Sequence, residues 1–133
     1  MKRYLLDTNI ASHVIRGDLP RVRERLFAVP VQSVAVSAVT KGELIYGLAK
    51  RGHPAALTTL VREFLIRVEV LPWTAQVGDV YGELRASCEA KGTSLGALDM
   101  MIAAHAVAAN AVLATRDQAF SRVEQLQIED WTT

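Results

Sequence analysis

Short runs of apolar residues alternate along the chain with segments in which apolar residues recur at helical spacing. The first run, residues 4–6, contains the adjacent pair Leu5 and Leu6, which suits a strand covered on both faces. Similar runs recur at residues 33–37, 68–71 and 111–115. Strands that alternate with helices predict a parallel sheet covered on both faces, so we expect an α/β fold.

The helical segments carry recognisable end signals. Ser37 and Thr74 suit N-caps, and Gly92 suits a left-handed C-terminal stop. Asp18 is a further candidate cap, just before Pro20, which fits a first helical turn. These signals predict helices over residues 10–16, 21–27, 39–49, 55–66, 74–91 and 97–109, a short helix at 118–123, and a small edge strand at residue 128.

Composition bounds the class of protein. The 133 residues suit one domain, residues 1–133, and with 50% hydrophobic and 22% charged residues the chain is not disordered. No apolar run reaches the ~20 residues that span a bilayer, and Asp7 interrupts the first run too early for a signal peptide. Cys88 is the single cysteine, so no internal disulfide forms. We therefore expect a cytoplasmic protein without a membrane anchor.

Acids stand at positions that ordinary packing does not explain. Asp7 and Asp117 each follow a predicted strand, Asp99 lies within a nearly all-apolar helix, and Glu43 lies on the helix after the second strand. Caps at Asp7 and Asp117, a favourable first-turn position at Asp99 and simple solvation at Glu43 are the alternatives. Strand-end acids of a doubly wound sheet meet at one crevice, however, and a lone buried carboxylate is costly.

A cluster of four carboxylates is unfavourable without a cation. Each like-charge pair at ~4 Å costs roughly 4 kcal/mol at an effective dielectric of ~20. Oxygen ligands favour Mg²⁺ or Mn²⁺, and the sequence has no Cys or His cluster that would favour zinc. Such ions acidify water and stabilise a phosphate under attack. If four of the 14 acids share this site, ten remain against 15 Lys and Arg, which leaves a basic surface suited to a polyanion.

Four blocks of the sequence resemble the PIN-domain ribonucleases, and most nearly the VapC toxins. They are Leu6-Asp7-Thr8-Asn9, Ser37-Ala38-Val39-Thr40-Lys41-Gly42-Glu43-Leu44, Leu98-Asp99-Met100-Met101-Ile102-Ala103 and Thr115-Arg116-Asp117. The resemblance implies a three-layer α/β/α fold with a parallel sheet of about five strands. It implies endonucleolytic cleavage of RNA, with transfer RNA a candidate substrate, by in-line attack of metal-activated water. It assigns catalysis and metal binding to Asp7, Glu43, Asp99 and Asp117.

The resemblance also implies supporting residues and partners. Thr8, Asn9 and Thr115 match supporting polar positions, and Arg85 is a candidate phosphate contact. A homodimer is implied, together with a cognate VapB-type antitoxin that neutralises the toxin and through which alone it meets DNA. Six apolar residues are either ordinary core or the lining of a groove for an antitoxin helix: Ile10, Val14, Leu19, Leu26, Leu44 and Leu48.

Two other functions remain open at this point. The first is a PIN-fold module that binds RNA or protein without cleaving, which a Mn²⁺-dependent nuclease assay separates from an enzyme. The second is a receiver-type signalling domain, which is also small, doubly wound and Mg²⁺-binding. That class needs adjacent acids after the first strand and a lysine after a late strand, whereas Thr8 follows Asp7 and Arg116 follows Thr115.

Overall fold

Five parallel strands form the centre of the fold in this computed structural model, which describes residues 2–133. Their order across the sheet is β3-β2-β1-β4-β5, and every neighbouring pair is parallel. The strands are β1 (Tyr4–Leu6), β2 (Val34–Ser37), β3 (Glu69–Leu71), β4 (Val112–Ala114) and β5 (Ile128–Glu129). The predicted α/β fold with a parallel sheet of about five strands is confirmed.

Helices cover both faces of the sheet. They are α1 (Thr8–Arg16), α2 (Pro20–Phe27), α3 (Ala38–Lys50), α4 (Ala55–Arg67), α5 (Ala75–Lys91) and α6 (Ala97–Ala108). Tyr4 and Leu6 of β1 pack into one core with residues of the first four helices. Leu5 points the opposite way, into a second core with α5 and α6. The alternation of side chains along each strand thus divides the apolar residues between two layers.

The direction of chain winding reverses beside β1. From β1 the chain passes through α1 to α4 on one face while it builds β2 and β3, and it returns over the other face through α5 and α6 to β4. Strands β1 and β4 are therefore neighbours whose following segments leave on opposite faces. Such a switch point opens a crevice at the carboxyl ends of the two strands.

Most predicted helix ends are confirmed. Ser37 and Thr74 cap α3 and α5 with their side chains, and Gly92 ends α5 in the left-handed conformation. The predicted cap at Asp18 is wrong. Leu19 occupies the N-cap of α2 without a side-chain bond, because Pro20 already stands at the first helical position and Asp18 comes one residue too early. The short helix predicted at 118–123 is a 3₁₀ helix, Gln118–Arg122. No helix within residues 2–133 is long and apolar enough to cross a membrane.

Candidate active site

The four predicted acids line one pocket at the carboxyl edge of the sheet. The pocket has a volume of about 350 Å³. Asp7 comes from the end of β1 and Asp117 from the segment after β4, while Glu43 and Asp99 project from α3 and α6. Thr8, Asn9, Ser12 and Phe120 complete the lining. Segments separated by more than 100 residues therefore bring their carboxylates to the switch point of the sheet.

Asp7 is both a helix cap and a pocket residue. Its Oδ1 accepts the backbone N–H of Ile10 at 2.8 Å, and its Oδ2 accepts the hydroxyl of Thr115 at 2.6 Å. Burial raises the pKa of Asp7, those two hydrogen bonds oppose the rise, and the charges of Asp99 and Asp117 add to it. The capping hydrogen bond fixes the direction of the Asp7 carboxylate. Asp7 can therefore cap α1 and act in the pocket at the same time.

Glu43 is fixed by two hydroxyl groups in series. The Thr8 hydroxyl donates to Glu43 Oε1, and it lies 3.0 Å from the Thr40 hydroxyl. A hydroxyl has one hydrogen to donate, so Thr8 accepts from Thr40 when it donates to Glu43. Thr40 is fully buried. The two hydrogen bonds therefore connect Glu43 in the pocket to a hydroxyl held in the core.

Asp99 is the least compensated of the four acids. Burial raises its pKa, and the nearby charges of Asp117 and Glu43 raise it further, with no hydrogen bond among the causes to lower it. Asp117 is exposed and caps the 3₁₀ helix by accepting the N–H of Ala119 at 2.9 Å. Ionisation of Asp99 in this pocket therefore has a cost that a nearby positive charge would relieve.

The donor set suits a hard divalent cation. Carboxylate and hydroxyl oxygens line the pocket, and neither sulfur nor imidazole does. No three acids, histidines or cysteines among residues 2–133 are drawn together tightly enough to form a ready-made ligand set. The carboxylates surround a pocket rather than converge on one point, so side-chain rotation or bridging water would have to complete the coordination of an ion.

The other predicted residues divide between the pocket and its surroundings. Thr8 and Asn9 line the pocket, whereas Thr115 lies buried behind Asp7. Arg85 lies in a separate depression, where it contacts Tyr81 Oη at 3.1 Å and Glu89 Oε2 at 3.0 Å. Those partners hold its pKa above the usual value, so Arg85 is engaged on α5 rather than turned to the acids.

Sequence reasoning missed Thr40 and Ser12. Thr40 lies three residues before Glu43 and Ser12 four residues after Thr8, so helical spacing places each pair on one face. This helical spacing could have indicated Thr40 and Ser12 from the sequence, but only once Glu43 and Thr8 were known to face the same pocket.

The sequence matches a known family over most of its length. The PIN domain model matches residues 4–126. The chain is 36% identical to the tRNA(fMet)-specific endonuclease VapC of Salmonella typhimurium over 132 residues, which cover 98% of this chain and 99% of the relative. It is 34% identical to Ribonuclease VapC2 of Rickettsia felis, with 96% and 97% of the two chains covered.

Solved structures agree in fold. DNA-bound VapBC from Salmonella typhimurium contains a chain that matches with a TM-score of 0.90 and 35% identity, covering 98% of this chain and 99% of that one. VapBC2 from Rickettsia felis, bound to a DNA fragment from the promoter, matches with a TM-score of 0.87 and 33% identity, covering 95% and 96%. The predicted resemblance is confirmed: this chain belongs to the PIN-domain family and, within it, to the VapC ribonucleases.

Proposed function

We propose that this protein is a metal-dependent endoribonuclease and the toxin of a toxin–antitoxin pair. The observation that carries the proposal is the pocket in which Asp7, Glu43, Asp99 and Asp117 meet. Relatives named as VapC ribonucleases, matched over nearly the whole chain, support it. A single domain over residues 1–133 and a cytoplasmic location, where its RNA substrate is found, belong to the same proposal.

We assign the ion as Mg²⁺ or Mn²⁺, held by Asp7 and Asp99 with Glu43 and Asp117 completing the site directly or through water. Oxygen donors prefer these ions over zinc. When bound, such an ion lowers the pKa of water and offsets charge on the attacked phosphate. The chain itself orients the donors: the Ile10 amide and the Thr115 hydroxyl hold Asp7, and the Thr8 hydroxyl holds Glu43.

The substrate class follows from the relatives. Two of them are named tRNA(fMet)-specific endonucleases. We therefore propose transfer RNA as the substrate and would examine tRNA(fMet) first. Asn9, which is exposed and lines the pocket, is suitably placed to contact a nucleotide next to the cleaved bond.

The decisive experiment measures cleavage of total transfer RNA by the purified, antitoxin-free protein with Mg²⁺, with Mn²⁺ and with chelator. We expect discrete products that require metal and that Asp7→Asn abolishes. The matched control is Asp79→Asn, an exposed acid on α5 outside the pocket, which should cleave as wild type does. Equal behaviour of Asp7→Asn and wild type would refute the proposal and favour a binding module that does not cleave.

The proposed partner is a VapB-type antitoxin, because matched structures are VapBC complexes. An apolar cleft of about 320 Å³ between α1, α2 and α4 suits an amphipathic helix. Val14 and Leu26 of the predicted groove line this cleft. Ile10, Leu44 and Leu48 belong to the core, which is the other of the two alternatives that the sequence left open, and Leu19 packs against that core.

Exposed apolar residues around the cleft strengthen the assignment. Phe27 is 75% exposed and Val31 55% exposed, an uncovered state that is unfavourable unless a partner closes it. Phe27→Asp should therefore weaken co-purification with the antitoxin and leave RNA cleavage intact. We further propose that the protein forms a homodimer, which sedimentation would measure. We also propose that it contacts DNA only through the antitoxin, which gel-shift assays of the free toxin and of the complex would test.

A further inference from the structure

A trench leads away from the acidic pocket between helices α1 and α3. Thr8, Ser12 and Glu43 line both the pocket and the trench, so the two are continuous. The helices begin after the neighbouring parallel strands β1 and β2, and they lie in contact with each other. Both therefore run away from the acids in a similar direction, and the trench follows them.

The two walls of the trench repeat the same pattern. Along α1 the lining residues are Thr8, Ser12 and Arg16, and along α3 and its C-cap they are Glu43, Gly47 and Arg51. Each series has a spacing of four residues, which keeps its members on one helix face. A pocket residue is thus followed by a small residue one turn on and by an arginine two turns on. Eight residues, slightly more than two turns, correspond to about 12 Å along the helix.

Gly47 keeps the middle of the trench open. A Cβ built at this position would meet no atom within 4 Å, so packing does not require glycine there. Glycine in a helix interior costs about 1 kcal/mol relative to alanine. Its lack of a side chain leaves free the space between Glu43 and Arg51, above an apolar floor that includes Leu44 and Leu48.

Arg51 is a cation without an acidic partner. Among residues 2–133 its guanidinium forms neither an ion pair nor a side-chain hydrogen bond. Arg16 has an exposed pair with Asp18, at 3.5 Å, and its guanidinium lies 3.3 Å from His13 Nδ1. A positive end on a trench whose other end is acidic suits a chain of phosphates, because a guanidinium binds a phosphate in bidentate fashion.

We propose that this trench, defined by Thr8, Ser12, Arg16, Glu43, Gly47 and Arg51, is a subsite for the RNA strand. Arg51, assisted by Arg16, binds a phosphate displaced along the trench from the cleaved bond by roughly 12 Å, the helical rise over eight residues. The trench thereby sets the register of the strand on the carboxylates. The inference rests on the proposed ribonuclease function and adds to it a contact that positions the substrate.

The test measures binding of fluorescein-labelled unfractionated transfer RNA in chelator, where no cleavage occurs, at several salt concentrations. We expect Arg51→Gln to weaken binding about tenfold, as the loss of one charge-assisted contact does. The slope of log K against log salt should fall in magnitude by about 0.7 to 1. The control Arg62→Gln removes an exposed charge on α4 outside the trench and should alter both quantities less.

A second variant blocks the trench and removes no charge. Gly47→Leu should weaken RNA binding and raise the melting temperature, since the helix gains a better helix former in open space. Gly82→Leu, on an exposed face of α5 with equally open space, is the matched control and should bind RNA as wild type does. The rise in melting temperature separates blockage of the trench from misfolding.

The outcomes distinguish the two proposals. If wild type neither binds nor cleaves RNA, the ribonuclease proposal fails and the subsite with it. If wild type cleaves RNA while Arg51→Gln and Gly47→Leu bind like their controls, the subsite is overturned and the ribonuclease proposal stands. If Arg51→Gln and Gly47→Leu bind RNA as wild type does but capture the antitoxin less well, the trench binds an antitoxin peptide. That result would also overturn the RNA subsite.

Discussion

Among single residues, Asp99 has the environment that most clearly disfavours an ionised side chain. Burial and the neighbouring charges of Asp117 and Glu43 all disfavour its ionised form. The adjacent Asp7 also has a raised pKa, although it has the Ile10 amide and the Thr115 hydroxyl as donors. The pocket is therefore arranged for ionised carboxylates at the expense of the metal-free fold, as expected where function and stability compete.

Asp99→Asn should raise the melting temperature of the metal-free protein while it abolishes cleavage. The amide keeps the shape of the side chain and removes a charge that burial, Asp117 and Glu43 oppose. Each kcal/mol gained corresponds to about 2–8 °C. Differential scanning fluorimetry in chelator measures the change, beside Asp79→Asn as an exposed control. A clear drop in the melting temperature would contradict the repulsion argument.

The gain in stability of Asp99→Asn over wild type should depend on pH. The folded-state pKa of Asp99 lies above 3.8, so folded wild type takes up a proton before the unfolded chain does as pH falls. That uptake stabilises wild type progressively as pH falls through the raised pKa towards 3.8. The advantage of Asp99→Asn should therefore be largest at neutral pH and should shrink in acid. A difference that grows in acid would exclude this explanation.

Thr40→Val should weaken metal binding without unfolding the protein. The change keeps the size of a fully buried side chain and removes the hydroxyl that supports Thr8, which in turn donates to Glu43. Loss of such a supporting hydrogen bond typically costs 10–100-fold in metal affinity or activity. Calorimetric titration with Mn²⁺ gives the affinity directly.

Two further variants complete the test of Thr40. Thr40→Ser retains the hydroxyl and should restore most of the metal affinity. Thr59→Val removes an exposed hydroxyl on α4 that bonds only the carbonyl of Ala55, so it should leave the Mn²⁺ affinity unchanged. Equal Mn²⁺ affinity for Thr40→Val and wild type would show that the Thr40 hydroxyl does not support the site.

A buried histidine joins elements of the fold. His105 of α6 contacts Ser37 Oγ through Nδ1 at 2.7 Å, and Ser37 is the N-cap of α3. Helices α3 and α6 carry Glu43 and Asp99. The link between His105 and Ser37 therefore fixes the relative position of two helices that supply acids from opposite faces of the sheet.

His105→Gln should flatten the loss of stability in mild acid. Burial, aided by the charge of Arg3, lowers the pKa of His105 below 6.5, while a hydrogen bond to the Pro72 carbonyl opposes the fall. The unfolded chain therefore binds a proton first, and wild type loses stability as pH falls below 6.5 towards the lowered pKa. Urea unfolding between pH 8 and 5 should record this loss in wild type and not in His105→Gln.

The same series separates the pH effect from the loss of packing. At pH 8 the variant should already be less stable by about 1–3 kcal/mol, because a buried hydrogen bond is gone. His53→Asn is the control, since His53 is exposed and its left-handed backbone suits asparagine. If His105→Gln and wild type lose stability in parallel below pH 6.5, titration elsewhere accounts for the acid sensitivity.

Some elements could be predicted from sequence because one local rule governs them. Asp7 and Asp117 follow strands of a parallel sheet, so their shared edge follows from topology. The predicted cap at Asp18 failed because Pro20 already stands at the first helical position, and the Asp18 carboxylate contacts His13 at 2.9 Å instead. The side-chain direction of Arg85 could not be predicted. Tyr81 and Glu89 lie one helical turn before and after it, but the rotamer decides whether Arg85 contacts them or turns to the pocket.

The molecule as a whole is closed by its C-terminal segment. Trp131 is fully buried and packs on Tyr4 of β1, with ring centroids 5.6 Å apart. Its indole N–H donates to Glu129 Oε1 at 3.2 Å, and Arg25 of α2 holds Glu129 and the carbonyl of Asp130. No local sequence pattern predicts that Arg25 secures the segment, because that contact joins residues about 100 positions apart.

Trp131→Ala should be the most damaging single change outside the pocket. Truncation of a buried Trp costs about 3–5 kcal/mol, and the melting temperature should fall by roughly 10 °C or more. Tyr46→Ala, which truncates a 64% exposed aromatic residue, should move it little. Because Trp131 lies outside the acidic pocket, the folded fraction of Trp131→Ala should retain cleavage at low temperature. A melting temperature close to wild type would mean that the segment rests on the fold without stabilising it.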